Sequence, residues 1–117
     1  MTGAWIPAAA PSPRISGGTI KWYAGDTFTL NLQLALTDQD GAAVGIPMGD
    51  VVSVTFYDRC LRPVYSFADR RVTDNVLSLV FTEEVSSRFP AGEYTYDVRW
   101  DGDRRVTVAR GNHVLVE

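Results

Sequence analysis

The chain has 117 residues, which suits one domain, since a core of ordinary size needs about 100–150 residues. Hydrophobic residues make up 45% and charged residues 21%, a composition that excludes wholesale disorder. The 11 Lys and Arg against 14 Asp and Glu give a net charge of −3, so no nucleic-acid partner is expected. No apolar run approaches the roughly 20 residues of a membrane-spanning helix, and no membrane partner is expected either.

Cysteine and histidine are too few for most redox and metal chemistry. The single cysteine, Cys60, has no partner for an intramolecular disulfide, which fits a reducing compartment. A metal site built on Cys60 and His113, the single histidine, would need carboxylates to complete it. The motifs of common hydrolases, phosphate-binding loops and zinc proteases do not occur. The sequence therefore predicts no enzyme, no catalytic residues, no metal site and no cofactor.

Residues 1–17 are predicted to form an extended arm rich in proline and alanine, and residues 18–117 a β-sandwich domain. Prolines 7, 11 and 13 interrupt helical and ladder hydrogen bonding and bias their neighbours toward extended backbone. Trp5 and Ile6 are large apolar side chains within this arm, and both are candidate interaction residues. Two alternatives stay open, because termini are ordered only when something holds them: docking on a neighbouring subunit, or folding back on the same domain.

A long strand is predicted for residues 26–37, where hydrophobic side chains alternate with polar ones. The five apolar residues of one parity are Phe28, Leu30, Leu32, Leu34 and Leu36. A helix would scatter them around its circumference, whereas a strand places them all on one face. The residues 38–41, Asp-Gln-Asp-Gly, favour a turn. A calcium loop is disfavoured here because no Glu stands where its bidentate ligand is needed.

Three shorter strands are predicted after a connector at residues 45–50. The first places Val52, Val54 and Phe56 in the core. The second covers residues 61–67 and contains Pro63, which favours an edge position because proline cannot donate to a ladder. The third covers residues 76–81, in which apolar side chains again alternate. A short helix then begins with Thr82 as its cap and ends before Pro90.

The last third is predicted to be a hairpin followed by a final strand. Alternation over residues 94–100 predicts one strand, and the residues 101–103, Asp-Gly-Asp, are typical of a hairpin turn. The strand that returns covers residues 104–109, with Val106 and Val108 facing inward, and a second turn at residues 111–112 precedes residues 113–117. Seven or eight short strands with one short helix indicate an all-β fold, an immunoglobulin-like sandwich without its disulfide.

Aromatic residues suggest one alternative function. Tyr23, Tyr57 and Tyr65 fall on the outward or edge register and are candidate interaction residues. Tyr and Trp offer flat amphipathic faces that stack on sugars, so a carbohydrate-binding accessory domain is the alternative hypothesis. The inward register holds four further aromatic residues, Trp22, Tyr94, Tyr96 and Trp100.

An ordered set of motifs resembles a known family. The set comprises GDTFTL (25–30), DQDG (38–41), GDVVSVTF (49–56), LSLVFT (77–82), AGEYTYDVR (91–99) and GNHVLV (111–116). This order resembles the immunoglobulin-like domains of baseplate and minor tail proteins of tailed phages and prophages. It is nearest to the N-terminal domains of upper baseplate proteins from phages that infect Gram-positive bacteria. The resemblance covers about residues 19–117.

The resemblance implies a structural protein of the virion, in the tail or baseplate, that is assembled in the bacterial cytoplasm. Its implied partners are copies of itself, as a homo-oligomer, and other virion proteins. Many relatives continue into linkers or receptor-binding modules, whereas this sequence stops after the sandwich. We therefore expect an adaptor or a decorating subunit rather than a receptor-binding protein.

Overall fold

The computed structural model describes residues 14–16, 19–34, 36, 40–47, 49–102 and 105–117. Its eight strands and one helix are β1 Arg14–Ser16, β2 Thr19–Trp22, β3 Phe28–Gln33, β4 Val51–Tyr57, β5 Pro63–Arg70, β6 Val76–Phe81, α1 Glu83–Ser86, β7 Gly92–Asp101 and β8 Arg105–Val116. Residues 14–16, predicted to belong to the arm, are therefore a strand of the sheet. The other residues of the predicted arm, 1–13 and 17, lie outside the described residues.

The strands form two sheets. The larger has the order β1-β2-β8-β7-β4-β5, and the smaller consists of β3 and β6. β2 runs parallel to β8, with Ile20 opposite Val114, while the other pairs among the described strands are antiparallel. An early strand parallel to the last one, on a sheet facing a β3–β6 pair, is the topology of an immunoglobulin-like sandwich. The predicted fold class is confirmed.

The core lies between the two sheets and is strongly aromatic. Trp22 is fully buried at its centre, with its ring centroid 5.0 Å from that of Phe81 and 5.1 Å from that of Phe28. Phe56 and Phe89 meet the same indole edge-on at 6.5 and 5.9 Å. Tilted and edge-to-face pairs are the favoured aromatic geometries, so this cluster contributes more than its buried area alone.

The alternation of apolar and polar residues along β3 determines which side chains face the core. Leu30 and Leu34 are buried, and the other three apolar residues of that register pack against the core, as predicted. The residues of opposite parity in β3, Thr29, Asn31 and Gln33, are exposed. The hydrogen-bonded ladder with β6 ends at Gln33, so the strand is shorter than the predicted 26–37.

A one-turn helix and a tyrosine lie at the end of the sandwich where β6 leads into β7. The hydroxyl of Thr82 accepts a hydrogen bond from the Val85 N–H at 3.3 Å, which confirms the predicted cap. The Tyr94 hydroxyl donates to the Pro90 carbonyl at 2.5 Å. A tyrosine near the start of this strand, bonded to backbone a few residues upstream, is the tyrosine corner of immunoglobulin-like folds.

Two predictions for the last strands are corrected by the structure. Gly111 is not in a turn: β8 runs unbroken from Arg105 to Val116, and its register against β7 shifts on each side of Val98. Gly111 has a φ of 68° and donates its N–H to Asp97 Oδ1 at 2.8 Å, which makes the site a bulge. Of the two valines predicted to face inward, Val108 packs against the core, whereas Val106, opposite Trp100 near the end of the sheet, is 41% exposed.

The predicted edge strand is confirmed in position. β5 is the outermost strand of the larger sheet, so the missing N–H of Pro63 costs no ladder hydrogen bond on its open side. The strand begins at Pro63 and extends to Arg70, beyond the predicted end at residue 67. Its pairing with β4 contains two register shifts.

Candidate interaction surface

The outer face of the larger sheet is polar. A shallow depression of about 180 Å³ lies on it, lined by Ser53, Thr55, Tyr57, Asp97, Val98, Arg99, Thr107 and Arg110. Strand alternation produces this face, because every second residue of β4 and β7 points away from the core. Tyr57 is half-buried in the depression and supplies its one aromatic surface.

Part of the polar lining is already engaged by the protein. Asp97 accepts the Gly111 N–H, and Arg99 Nε lies 3.5 Å from Asp101 Oδ2. Asp101 also pairs with Arg105 Nε at 3.2 Å, so this one carboxylate near the hairpin bonds to two arginines. One tyrosine ring and the Arg110 guanidinium remain to meet a ligand. They could stack on a sugar ring and bond to its hydroxyl groups.

The three candidate tyrosines do not come together. Tyr23 follows β2 and is 54% exposed, whereas Tyr57 lies on the outer face of the larger sheet. Tyr65 lies on the edge strand, as predicted, but opposite Phe56, and its ring packs 4.9 Å from Phe67 toward the core. The candidates Trp5 and Ile6 lie outside the described residues.

The aromatic residues predicted to face inward do so. Trp22 and Tyr94 are buried, and Tyr96 and Trp100 are partly buried against the core. Burial raises the pKa of the Tyr94 and Tyr96 hydroxyls, with the Asp58 charge a smaller contribution at Tyr94. Trp100 Nε1 donates to Asp50 Oδ2 at 2.9 Å, which satisfies its polar end.

The turn between β4 and β5 presents an apolar side chain that the sequence analysis missed. Leu61 is 72% exposed and has a φ of 62°, a conformation that costs a branched L-residue energy. Asp58 Oδ1 holds the turn by accepting the N–H groups of Cys60 at 2.9 Å and Arg62 at 3.0 Å. The sequence feature that could have predicted this turn is Asp58 itself, because an aspartate at the start of a turn often accepts hydrogen bonds from the backbone of the residues that follow it.

The same hydrogen bonds stabilise the charged form of Asp58. The backbone N–H of Arg62 is the largest cause that lowers the pKa of this carboxyl, and the Cys60 N–H adds to it against an opposing desolvation. The turn is therefore held most firmly when Asp58 is ionised. Leu61 is the most exposed large hydrophobic side chain among the described residues.

Neither a metal-binding cluster nor a membrane-spanning helix occurs within the described ranges. Cys60 is exposed, and no group of three His, Cys, Asp or Glu residues among those described is arranged to hold a metal ion. The helix α1 has four residues, and no helix in the described part of the chain is long and apolar enough to cross a membrane.

No protein-family model matches the chain, and no curated protein is significantly similar to it.

Proposed function

We propose that this chain is a non-enzymatic structural subunit of a phage or prophage virion, in the tail or baseplate, that acts through protein–protein contacts. Its partners are other copies of the chain and other virion proteins. The observation that best supports this function is the ordered Asp58–Arg62 turn, which holds the exposed Leu61 outward at an energetic cost. Local strain of this kind is typical of residues that act in recognition.

The chemistry of the described residues supports a building block over an enzyme. A catalytic site concentrates titratable groups with perturbed pKa values in a cleft. Here the pKa of Tyr94 and Tyr96 is raised by burial in the core, and that of Asp58 is lowered by turn hydrogen bonds. Structural packing accounts for each shift without a catalytic role.

The virion location rests on the resemblance of residues 19–117 to phage tail and baseplate domains. Such a protein is made in the bacterial cytoplasm and incorporated into particles there. The test is mass spectrometry of tailed particles purified on a density gradient from a lysate of the bacterium that carries this gene. We expect its peptides in the particle band in a constant ratio to the major tail protein. Peptides confined to the soluble fraction would contradict the proposal.

A carbohydrate-binding accessory domain is the second candidate, supported by the half-buried Tyr57 in the polar depression beside Arg110. A glycan array with the full chain tests it. Binding that is lost in Tyr57→Ala but kept in Tyr23→Ala, a tyrosine outside the depression, would support this function. An array without signal would remove it.

A further inference from the structure

We propose that the free edge of β3 receives residues 5–11 of a second copy of this chain as an added β-strand. The inference rests on the proposed function, because it names the contact through which copies assemble. β-strand addition uses main-chain hydrogen bonds for affinity and alternate side chains for specificity. Four features of the edge and of the sequence support it.

The first feature is an open edge. Among the described residues, β3 pairs only with β6. Leu34 donates its N–H to the Asn75 carbonyl at 2.8 Å, which is the β6 side. Because backbone groups alternate along a strand, Thr29, Asn31 and Gln33 direct their N–H and C=O groups to the opposite side. Within the part of the chain that the structure describes, these three residues present a row of donors and acceptors with no strand beside it.

The second feature is the lack of edge protection. Natural sheets protect their edges with proline, charged residues or bulges. The β5 edge has these features, since it contains Pro63, Arg70 and two register shifts against β4. β3 contains neither proline nor charge, and its register with β6 is regular throughout. The β3 edge is therefore suited to pairing with another strand.

The third feature is a cleft beside this edge. Its volume is about 210 Å³, and it lies between the end of β3 and the facing strands β7 and β8. Its lining is Leu32, Gln33, Leu34, Tyr96, Val98, Val108, Ala109 and Asn112. Asn112 Nδ2 is buried and has no hydrogen-bond partner among the described residues. An added strand would place the apolar side chains of one parity in the cleft.

The fourth feature is the parity of the N-terminal sequence. Trp5, Pro7 and Pro11 have odd numbers, and so do Ala9 and Pro13. In an added antiparallel strand, every second residue directs its N–H and C=O groups to β3. The residues between them direct their backbone groups to solvent and their side chains to the core. The prolines, which have no N–H, fit only the second set. The same parity places Trp5 toward the cleft, so hydrogen bonding and hydrophobic burial agree.

Chain direction favours a second copy over the same one. Arg14 lies opposite Lys21, and β1 is antiparallel to β2, so the N-terminal end of β1 is directed toward the end of the sheet at Val116. The cleft, near Asn112, lies in the other direction. Prolines 11 and 13 favour extended backbone over a tight reversal. A segment that continued in the direction of β1 would lead away from its own cleft and would reach that of a neighbour, which gives a head-to-tail contact.

Cysteine cross-linking tests the site in full-length chains that carry Cys60→Ser. Chains with Ala8→Cys or Ala10→Cys are mixed with chains of a different tagged mass that carry Asn31→Cys and are oxidised. Facing residues of an antiparallel pair lie at a separation that a disulfide can bridge. We expect the mixed-mass dimer with one of the even positions, and about tenfold less with the matched control Ala9→Cys, whose side chain points to the other face.

Two outcomes would overturn the site. Equal cross-linking from even and odd positions would exclude a regular added strand. A chain carrying both Ala8→Cys or Ala10→Cys and Asn31→Cys that closes only within itself, seen as a faster-migrating monomer, would assign the edge to its own arm. Either result with the chain still present in purified particles leaves the proposed function intact, whereas absence from particles contradicts that function.

A proline pair gives an independent test of the parity. Ala10→Pro removes an N–H that faces β3, whereas Ala9→Pro removes one that faces solvent. We expect the dissociation constant between copies, measured by sedimentation, to rise about tenfold in Ala10→Pro and to stay near wild type in Ala9→Pro. The same effect from both variants would contradict the proposed strand.

Discussion

Asn75 and Leu34 bond to each other twice across the end of the smaller sheet. The Leu34 N–H donates to the Asn75 carbonyl at 2.8 Å, and Asn75 Nδ2 donates to the Leu34 carbonyl at 3.1 Å. The same amide group reaches the connector, because Nδ2 donates to the Val44 carbonyl at 2.8 Å and Oδ1 accepts the Ile46 N–H at 2.9 Å. One side chain thus joins the end of β3 to the segment that leads to β4.

Asn75→Asp tests this junction. The carboxylate keeps the oxygen acceptor but has no N–H donor. The carbonyls of Leu34 and Val44 each lose one hydrogen-bond partner. We expect the free energy of unfolding to fall by about 2–3 kcal/mol, measured by urea denaturation. Asp74→Gly is the matched control, since Asp74 also has a positive φ, 51°, but is exposed. Equal midpoints for Asn75→Asp and wild type would show that the junction contributes nothing.

The tyrosine corner gives a second stability prediction. Tyr94→Phe keeps the buried ring but removes the hydroxyl that donates to the Pro90 carbonyl. We expect a loss of about 1–1.5 kcal/mol, which is the contribution of one hydrogen bond of this kind. Tyr57→Phe, on the outer face, serves as the control and should shift the thermal midpoint less. A larger shift in the control than in Tyr94→Phe would contradict the assignment.

Alkaline pH should destabilise the fold through the same region. The pKa of Tyr94 and Tyr96 is raised above the ordinary value of 10.0 because burial disfavours the phenolate. The unfolded chain therefore releases these protons first as pH rises through 10, and it binds fewer protons than the folded chain. The contribution of the two protonated phenols to the free energy of unfolding is therefore fully present below pH 10 and is lost as the pH rises above it.

A series of urea melts between pH 8 and pH 11 measures this effect. The double variant Tyr94→Phe/Tyr96→Phe, which has neither phenol, should show a flatter fall in stability than wild type. Identical pH slopes for the two proteins would exclude these tyrosines as the cause.

Leu61 separates folding from recognition. Leu61→Gly relieves the positive φ, so we expect the isolated chain to keep its stability or gain up to about 1 kcal/mol. If Leu61 contacts a virion partner, incorporation of this variant into particles falls while its thermal midpoint does not. Incorporation equal to wild type would remove Leu61 from the contact surface.

The sequence predicts strand faces well because a half-buried strand imposes strict alternation. The inward register of residues 28–36 and the edge position of Pro63 follow from local chemistry alone. Gly111 is different, since a glycine beside an asparagine suits a bulge as well as a turn. Tyr65 lies opposite the inward-facing Phe56, whereas Tyr57 follows Phe56 and faces outward, so the pairing of β4 with β5 places the two tyrosines on opposite faces. The Asn75 junction depends on partners 29 to 41 residues away.

The candidate site was less predictable than the fold for a physical reason. Outward residues of a sandwich share one polar composition whether they bind a partner or only water. The exposed Leu61 is recognisable only once its backbone conformation and its Asp58 hydrogen bonds are known.

Static light scattering of the full chain and of a chain lacking residues 1–13 tests most directly whether this protein is a building block that assembles through its N-terminal segment. The truncation ends before Arg14, because Arg14–Ser16 belong to the sheet. We predict that the full chain shows a mass above its 12.9 kDa monomer that rises with concentration, and that the truncated chain remains monomeric. Two equally monomeric proteins would contradict assembly through this segment.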